Sequence, residues 1–318
     1  MFRIPASVLA IALPVLPAAA QDLEFFTIGS GDVTGGYYSV ANAICDVVNR
    51  ADRGRLRCSP EPTAGSIYNL GALRDRQIEF AMVQSDWQGQ ALAGTGPYAE
   101  IGPMSDLRSV MSLYPETLTL LVRADAGIGG LDDLMGKRVD IGHPASGRRA
   151  TIDWLMRALE TDPTDFAEID ELPTGNALDA LCQGSIDATL LIVGHPNSAI
   201  RRSLADCDTA IVHFSGPAID AVIAESDYFE PAVIPAGTYP GLDSDVASFA
   251  VTATVVTLAD QNPDLVSELV SRTLEHLPAL GQRAPVLAGL DATHMRTIGL
   301  TAPLHPGAEA AFSVPRGE

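Results

Sequence analysis

Three turns in this chain share one kind of chemistry. Gly31–Tyr38 carries Thr34 and the pair Gly35-Gly36 and ends in Tyr37 and Tyr38; Thr63-Ala64-Gly65-Ser66 and Ala145-Ser146-Gly147-Arg148-Arg149 again set a hydroxyl and a glycine ahead of a helical stripe. The first N–H groups of a helix have no intrahelical acceptor and carry partial positive charge, so such starts attract anions. Glycine lets a ligand approach the backbone closely, which gives Gly36 and Gly147 a role. The hydroxyls of Thr34, Ser66 and Ser146 can cap the helix or bond a ligand, and capping alone is the ordinary outcome for a single turn. Three such turns in one chain favour a shared anion cleft.

The side chains around these turns suit the same task. Arg148 and Arg149 fall in the first turn after Ser146-Gly147. A guanidinium there can hold a carboxylate with two parallel hydrogen bonds. One arginine is expected to face the ligand and the other solvent, and the spacing leaves open which. Tyr37, Tyr38, Gln84, Asp86 and Trp87 also stand where strands end. Aromatic rings supply flat apolar walls with a polar tip, although Trp87 fits core packing as well. Gln84 can donate and accept, and Asp86 suits an amine or orders a neighbouring donor. His195, before Pro196, fits a satisfied structural histidine or a ligand hydrogen-bonder better than a catalytic base.

Enzymatic signatures are missing. Gly29-x-Gly31-x-x-x-Gly35 approaches a dinucleotide fingerprint, but its spacing is off by one. No G-x-S-x-G, H-E-x-x-H or S-x-x-K pattern occurs. His143, His195, His213, His276, His294 and His305 show no ligand spacing, and there is no C-x-x-C. Binding without chemistry is expected, with no cofactor and no metal.

These turns need a scaffold, and the chain is long enough for one. Its 318 residues are 47% hydrophobic and 19% charged, a packed composition that allows one large domain or two. The net charge of −20 disfavours nucleic acid and anionic membrane surfaces as partners. Met1–Ala20 has a basic start at Arg3, a short apolar stretch Val8–Leu16 and small residues Ala18-Ala19-Ala20, the three-part layout of a secretory signal peptide. No later apolar run is long enough to cross a membrane as a helix. In an exported protein Cys45, Cys58, Cys182 and Cys207 allow two disulfides in three pairings. Cys45–Cys58 and Cys182–Cys207 are favoured, because each closes a short loop between a helix and the segment after it.

Short apolar runs alternate with helical stripes, which indicates α/β architecture with largely parallel sheet. Strands are expected at 25–28, from 56, at 80–83, 118–122, 138–141, 188–193, 210–212 and 249–256. Helical stripes cover 40–48, 67–73, 152–159, 218–224 and 265–274, with a short helix at 131–134. The runs near 118–123 and 249–256 read as crossings between two lobes. One lobe would comprise 21–118 plus 250–318 and the other 119–249.

The ordered motifs resemble one family. Gly29-Ser30-Gly31-Asp32-Val33-Thr34-Gly35-Gly36-Tyr37-Tyr38, Gly65-Ser66-Ile67-Tyr68-Asn69-Leu70, Val83-Gln84-Ser85-Asp86-Trp87-Gln88, Ser146-Gly147-Arg148-Arg149-Ala150, Val193-Gly194-His195-Pro196-Asn197 and Ile234-Pro235-Ala236-Gly237-Thr238-Tyr239 are similar to those of TAXI proteins, the extracytoplasmic solute receptors of TRAP transporters. The resemblance implies a periplasmic, two-lobed binding protein of the type II-like class with two hinge strands and a ligand cleft between the lobes. It implies a small carboxylate ligand, such as glutamate or 2-oxoglutarate, and TRAP permease subunits driven by an ion gradient as partners. The receptor itself is expected to be a monomer. The family pattern places the carboxylate-binding arginine at Arg149. Ala64 stands where the family usually has glycine, and His143 where asparagine is common. A receptor for an ATP-driven importer is the alternative within the same architecture, and an exported enzyme on a similar scaffold is the alternative outside it.

Overall fold

The alternation of apolar runs and stripes folds as one continuous mixed sheet flanked by helices. A computed structural model describes residues 23–51 and 55–314; the expected signal peptide lies outside them. The first units are β1 (Glu24–Gly29), α1 (Gly36–Ala51), β2 (Leu56–Glu61), α2 (Ser66–Arg74), β3 (Phe80–Gln84) and α3 (Ser85–Ala93), followed by the long strand β4 (Leu107–Arg123). The middle of the chain forms β5 (Arg138–Asp140), α4 (Gly147–Ala158), β6 (Glu168–Asp170), α5 (Thr174–Gln183), β7 (Ala188–Val193), α6 (Ser198–Asp206), β8 (Thr209–Val212), α7 (Pro217–Ala224) and β9 (Glu230–Ile234). The second long strand β10 (Val246–Leu258) leads into α8 (Pro263–Glu275), α9 (Leu277–Arg283), α10 (Ala292–Thr297) and α11 (Pro306–Ser313).

The strand order is β2-β1-β3-β10-β4-β7-β5-β6, with β8 also on β4 and β9 also on β10. β1 pairs parallel with β2 and β3, and β5 pairs parallel with β6 and β7. Between these parallel sets run β4 and β10, antiparallel to each other from Leu107↔Leu258 to Thr117↔Ala250. The register shifts between Thr252 and Thr254, beside the pair Pro115↔Thr252. Proline has no N–H to give a ladder, so it is tolerated where the pairing is interrupted.

Four apolar clusters make two lobes. Phe26, Ile28, Val40, Ile44, Val255 and Leu269 share one core, and Leu70, Leu73, Val83 and Trp87 share another beside it. Leu118, Leu120, Ile152, Leu190, Phe249 and Val251 share a third, and Leu121, Leu178, Leu191, Ile200 and Tyr239 a fourth. Each fully buried aliphatic or aromatic side chain contributes roughly 1.5–3 kcal/mol. Along β4 the packing changes lobe between Tyr114 and Leu118, and along β10 between Val251 and Ala253. Cys45 in α1 is bonded to Cys58 in β2, and Cys182 in α5 to Cys207 just after α6. Among the described residues no helix is long and apolar enough to cross a membrane.

Candidate functional site

Four helix starts meet where the lobes face each other. α1 and α2 come from one lobe, α4 and α5 from the other, and their first residues Gly36, Ser66, Gly147 and Thr174 all line one cavity of about 200 Å³. At about 30 Å³ per water, that volume corresponds to roughly seven waters, the scale of a small metabolite. Neither α2 nor α5 has a side-chain cap, so no side chain claims their first N–H groups, although that of Tyr68 in α2 reaches a carbonyl of the other lobe. Gly65, at the N-cap of α2, has φ 110°, a left-handed value that glycine takes without strain. The fourth helix start, Thr174-Gly175, escaped sequence reasoning. It repeats the hydroxyl-glycine device, but the strand before it is the three-residue, largely polar Glu168–Asp170, and Pro173 masked the helix start.

The cationic wall is Arg148, which is only 6% exposed. Its Nη2 donates to Asp140 Oδ2 at 2.8 Å and to the Leu172 carbonyl at 2.9 Å. Asp140 is itself held by the Thr189 hydroxyl at 2.7 Å and the Leu172 N–H at 2.8 Å. Burial pulls the Arg148 guanidinium below its ordinary range, while Asp140 opposes the shift. A guanidinium stays protonated regardless. Its Nη1 is buried with no hydrogen-bond partner among the described residues.

Arg149, the arginine expected to hold a carboxylate, does not line this cavity. It bonds Asp153 at 2.8 Å and also pairs with Glu171 on the outside of α4. Successive helix positions point about 100° apart, so only one of the two arginines can face inward, and here it is Arg148.

Of the other expected residues, Gly36, Tyr37, Ser66, Gln84, Ser146 and Gly147 line the cavity. The Ser146 hydroxyl is engaged in capping: it accepts the Arg149 N–H at 3.1 Å and donates to the His143 carbonyl at 2.7 Å. Ser66 Oγ accepts the Gln84 N–H at 3.1 Å. Thr34 and Tyr38 stand outside the cavity wall. The Thr34 hydroxyl is turned to Asp32, whose Oδ1 also accepts the Thr34 N–H at 2.8 Å.

Asp86 and Trp87 stand outside it too, as the contact between the lobes. Trp87 Nε1 donates to the Gly147 carbonyl at 2.9 Å, and the Thr151 hydroxyl donates to Asp86 Oδ2 at 2.7 Å. Asp86 is fully buried and its Oδ1 has no hydrogen-bond partner among the described residues. Burial raises its carboxyl to about 7, against the Thr151 hydrogen bond. A backbone bond from the Tyr68 N–H to the Ala145 carbonyl at 3.3 Å also joins the lobes. His195 is a satisfied structural group: it bonds the Thr119 hydroxyl at 2.9 Å and the Tyr239 hydroxyl at 2.6 Å, and burial lowers it to about 4.

One cavity residue had no sequence signal beyond its charge. Glu116, in β4 at the crossing between the lobes, is 5% exposed and accepts the Tyr37 hydroxyl at 2.6 Å on Oε2. Burial raises its carboxyl to about 8, with Tyr37 opposing and Asp86 adding to the rise. Among the described residues no group of His, Cys, Asp and Glu could hold a metal ion. The site is suited to holding a small anion between dipoles and a guanidinium.

The model of a family described as NMT1-like matches residues 28–313. Solved structures share the fold at low identity. MatC from Rhodopseudomonas palustris with bound malate is 18% identical over 83% of this chain and 88% of that one, with a TM-score of 0.56. A periplasmic transporter is 12% identical over 83% and 87%, with a TM-score of 0.54. A putative L-cystine ABC transporter from Listeria monocytogenes is 12% identical over 84% and 97%, with a TM-score of 0.52. These likenesses are those of a two-lobed periplasmic solute-binding fold.

Proposed function

We propose, from the premise that the chain belongs to the NMT1-like family, that it is an extracytoplasmic solute receptor which binds a small carboxylate between its lobes and delivers it to a membrane permease. The observation that carries this reading is the buried, unpartnered Arg148 Nη1 beside a cavity bordered by four helix starts. An acidic chain of net charge −20 repels anions unless one pocket is locally positive, and these groups supply that pocket. The lobes are 21–118 plus 250–318, and 119–249, except that Leu118 and Val251, at the crossings, pack in the core of the second. An open form admits the solute, and closure removes it from water. The closed form wins only by the solute's better affinity for it.

The permease is of the TRAP type, as the ordered TAXI-like motifs imply, and the receptor works in the periplasm as a monomer without a cofactor. The malate in MatC agrees with a carboxylate ligand. A receptor for an ATP-driven importer is the second reading, favoured by the likeness to the L-cystine ABC transporter. A neighbouring gene for a permease without an ATPase separates the two.

A thermal-shift screen of malate, succinate, 2-oxoglutarate, glutamate and other amino acids tests the site. A ligand at a hundred times its Kd stabilises by about 2.7 kcal/mol, which at about 2–4 °C per kcal/mol raises Tm by roughly 5–10 °C. Arg148→Ala is expected to abolish the shift, and Arg149→Ala to retain it. Arg148→Ala also leaves Asp140 buried alone, at a cost of about 3–5 kcal/mol. Each shift is therefore read against the variant's own ligand-free Tm, with Arg148→Lys as the folded control. Loss in Arg149→Ala with retention in Arg148→Ala would reverse the assignment, and no shift by any acid would end it.

A further inference from the structure

The charged side chains lining the cavity are not matched to a simple anion. Arg148 is the one arginine or lysine among them, and Asp140 already balances it. Two carboxyls, Asp32 and Glu116, share the same wall. A solute with two carboxylates would find helix dipoles and Arg148 for one of them, and carboxyl oxygens against the other. A solute with one carboxylate and one ammonium would find a partner for each.

Glu116 is the carboxyl built for that second partner. It is nearly sealed from bulk water, and Tyr37 fixes its Oε2. Glu116 lines the cavity, and the hydrogen bond its carboxylate accepts among the described residues is on Oε2, not Oε1. The groups facing it are Tyr37 from α1, Tyr114 beside it on β4, Asp86 from α3, and Asp32, His143 and Arg148 around the cavity. The Tyr114 hydroxyl has no partner among the described residues, and Asp86 opposes a charge on Glu116.

Resting on the carboxylate reading above, we infer that Glu116 makes the site select an amino acid, pairing its ionised carboxylate with the solute's ammonium while Arg148 and the helix starts hold the solute's carboxylate. Near neutral pH the closed cavity keeps Glu116 protonated unless an ammonium faces it, since burial raises it to about 8. Binding then exchanges charges in a balanced step. The Glu116 carboxyl gives its proton to solvent, and the resulting carboxylate accepts hydrogen bonds from the incoming ammonium, which keeps its own protons.

The test compares amino acids with their des-amino partners on the full chain: alanine with propionate, aspartate with succinate and glutamate with glutarate, by calorimetry in buffers of different ionisation enthalpy. At pH 7 the preferred amino acid is expected to bind with close to one proton fewer than its des-amino partner. Its affinity relative to its partner should rise about tenfold per pH unit up to about pH 8. Titration of Asp86 at the lobe contact affects both members of a pair, and its added repulsion on ionised Glu116 is separated by repeating the ratio in Asp86→Asn. Glu116→Gln keeps the size and the Tyr37 bond, and its neutral amide matches the protonated carboxyl that a des-amino acid meets; it should cut the ratio at least tenfold and remove the proton difference between the pair. Equal binding of both partners, or an unchanged ratio in Glu116→Gln, overturns the assignment while the anion site stands. Failure of every compound to bind overturns both.

Discussion

Replacing Gly147 by alanine puts a methyl group where the lobes touch. A Cβ at this position would overlap Gln84 Oε1 and lie 2.6 Å from Ser66 Oγ and 2.8 Å from Ser66 Cβ, all on the opposite lobe. Gln84 can swing aside, but Ser66 Cβ is fixed to the start of α2, so the lobes themselves must give way. Within its own lobe the change is benign, because Gly147 opens α4 and alanine is the better helix former by up to about 1 kcal/mol. Overpacking of this kind costs about 1–3 kcal/mol, and here that cost falls on the closed form alone. At 1.4 kcal/mol per decade, the closed form loses roughly 5- to 150-fold relative to the open form. Solute affinity should weaken by the same factor, while the ligand-free Tm falls by no more than about 2 °C. Calorimetry gives the affinity, and small-angle scattering at saturating solute shows whether the loaded protein still closes. Affinity within twofold of the parent would mean that the lobe contact through Gly147 is not part of the bound form.

Two further outcomes concern stability. The Asp86 carboxyl is raised from 3.8 to about 7 in the folded, closed protein, so that form holds a proton which the unfolded chain gives up. Its contribution is present in full below about pH 4 and is lost as pH rises through about 7, a swing of order 4 kcal/mol for about three units of pKa. At saturating solute, which holds the closed form, Asp86→Asn keeps an acceptor for Thr151 and should flatten Tm between pH 4 and 7; an unaltered profile would place the titration elsewhere. The two disulfides close sequence separations of 13 and 25 residues. Replacing either pair by alanines should lower stability by about 3 kcal/mol, slightly more for Cys182–Cys207. Denaturant unfolding with and without reductant checks this, and an unchanged midpoint under reduction would refute it.

The parts of the fold legible in the sequence are those with unbroken apolar runs. Phe80–Val83, Ala188–Val193 and the last half of β4 are buried strands whose residues are almost all apolar. The first half of β4 was hidden because Ser109, Ser112, Pro115 and Glu116 interrupt it, although the serines there are fully buried. β6 and β9 are short edge strands with mostly half-exposed or exposed residues, so neither shows a clean alternation. At the site, the glycine turns were readable because their composition is local. Which arginine faces the cavity was not, since that depends on the rotation of α4 about its axis. Glu116 was invisible for another reason: a lone acidic residue looks like surface until a second lobe covers it.

Both crossings between the lobes are neighbouring strands of one sheet, bonded to each other from Leu107↔Leu258 to Thr117↔Ala250. Two separate linkers would leave the halves free to slide, twist and swing. A double-stranded ribbon resists shear and bends about one axis, most readily where the ladder already slips near Thr252. In the proposed receptor the halves therefore move like the covers of a book on its spine. A solute entering between them has a single angle to arrest, and little of its interaction energy is diverted into ordering a loose tether.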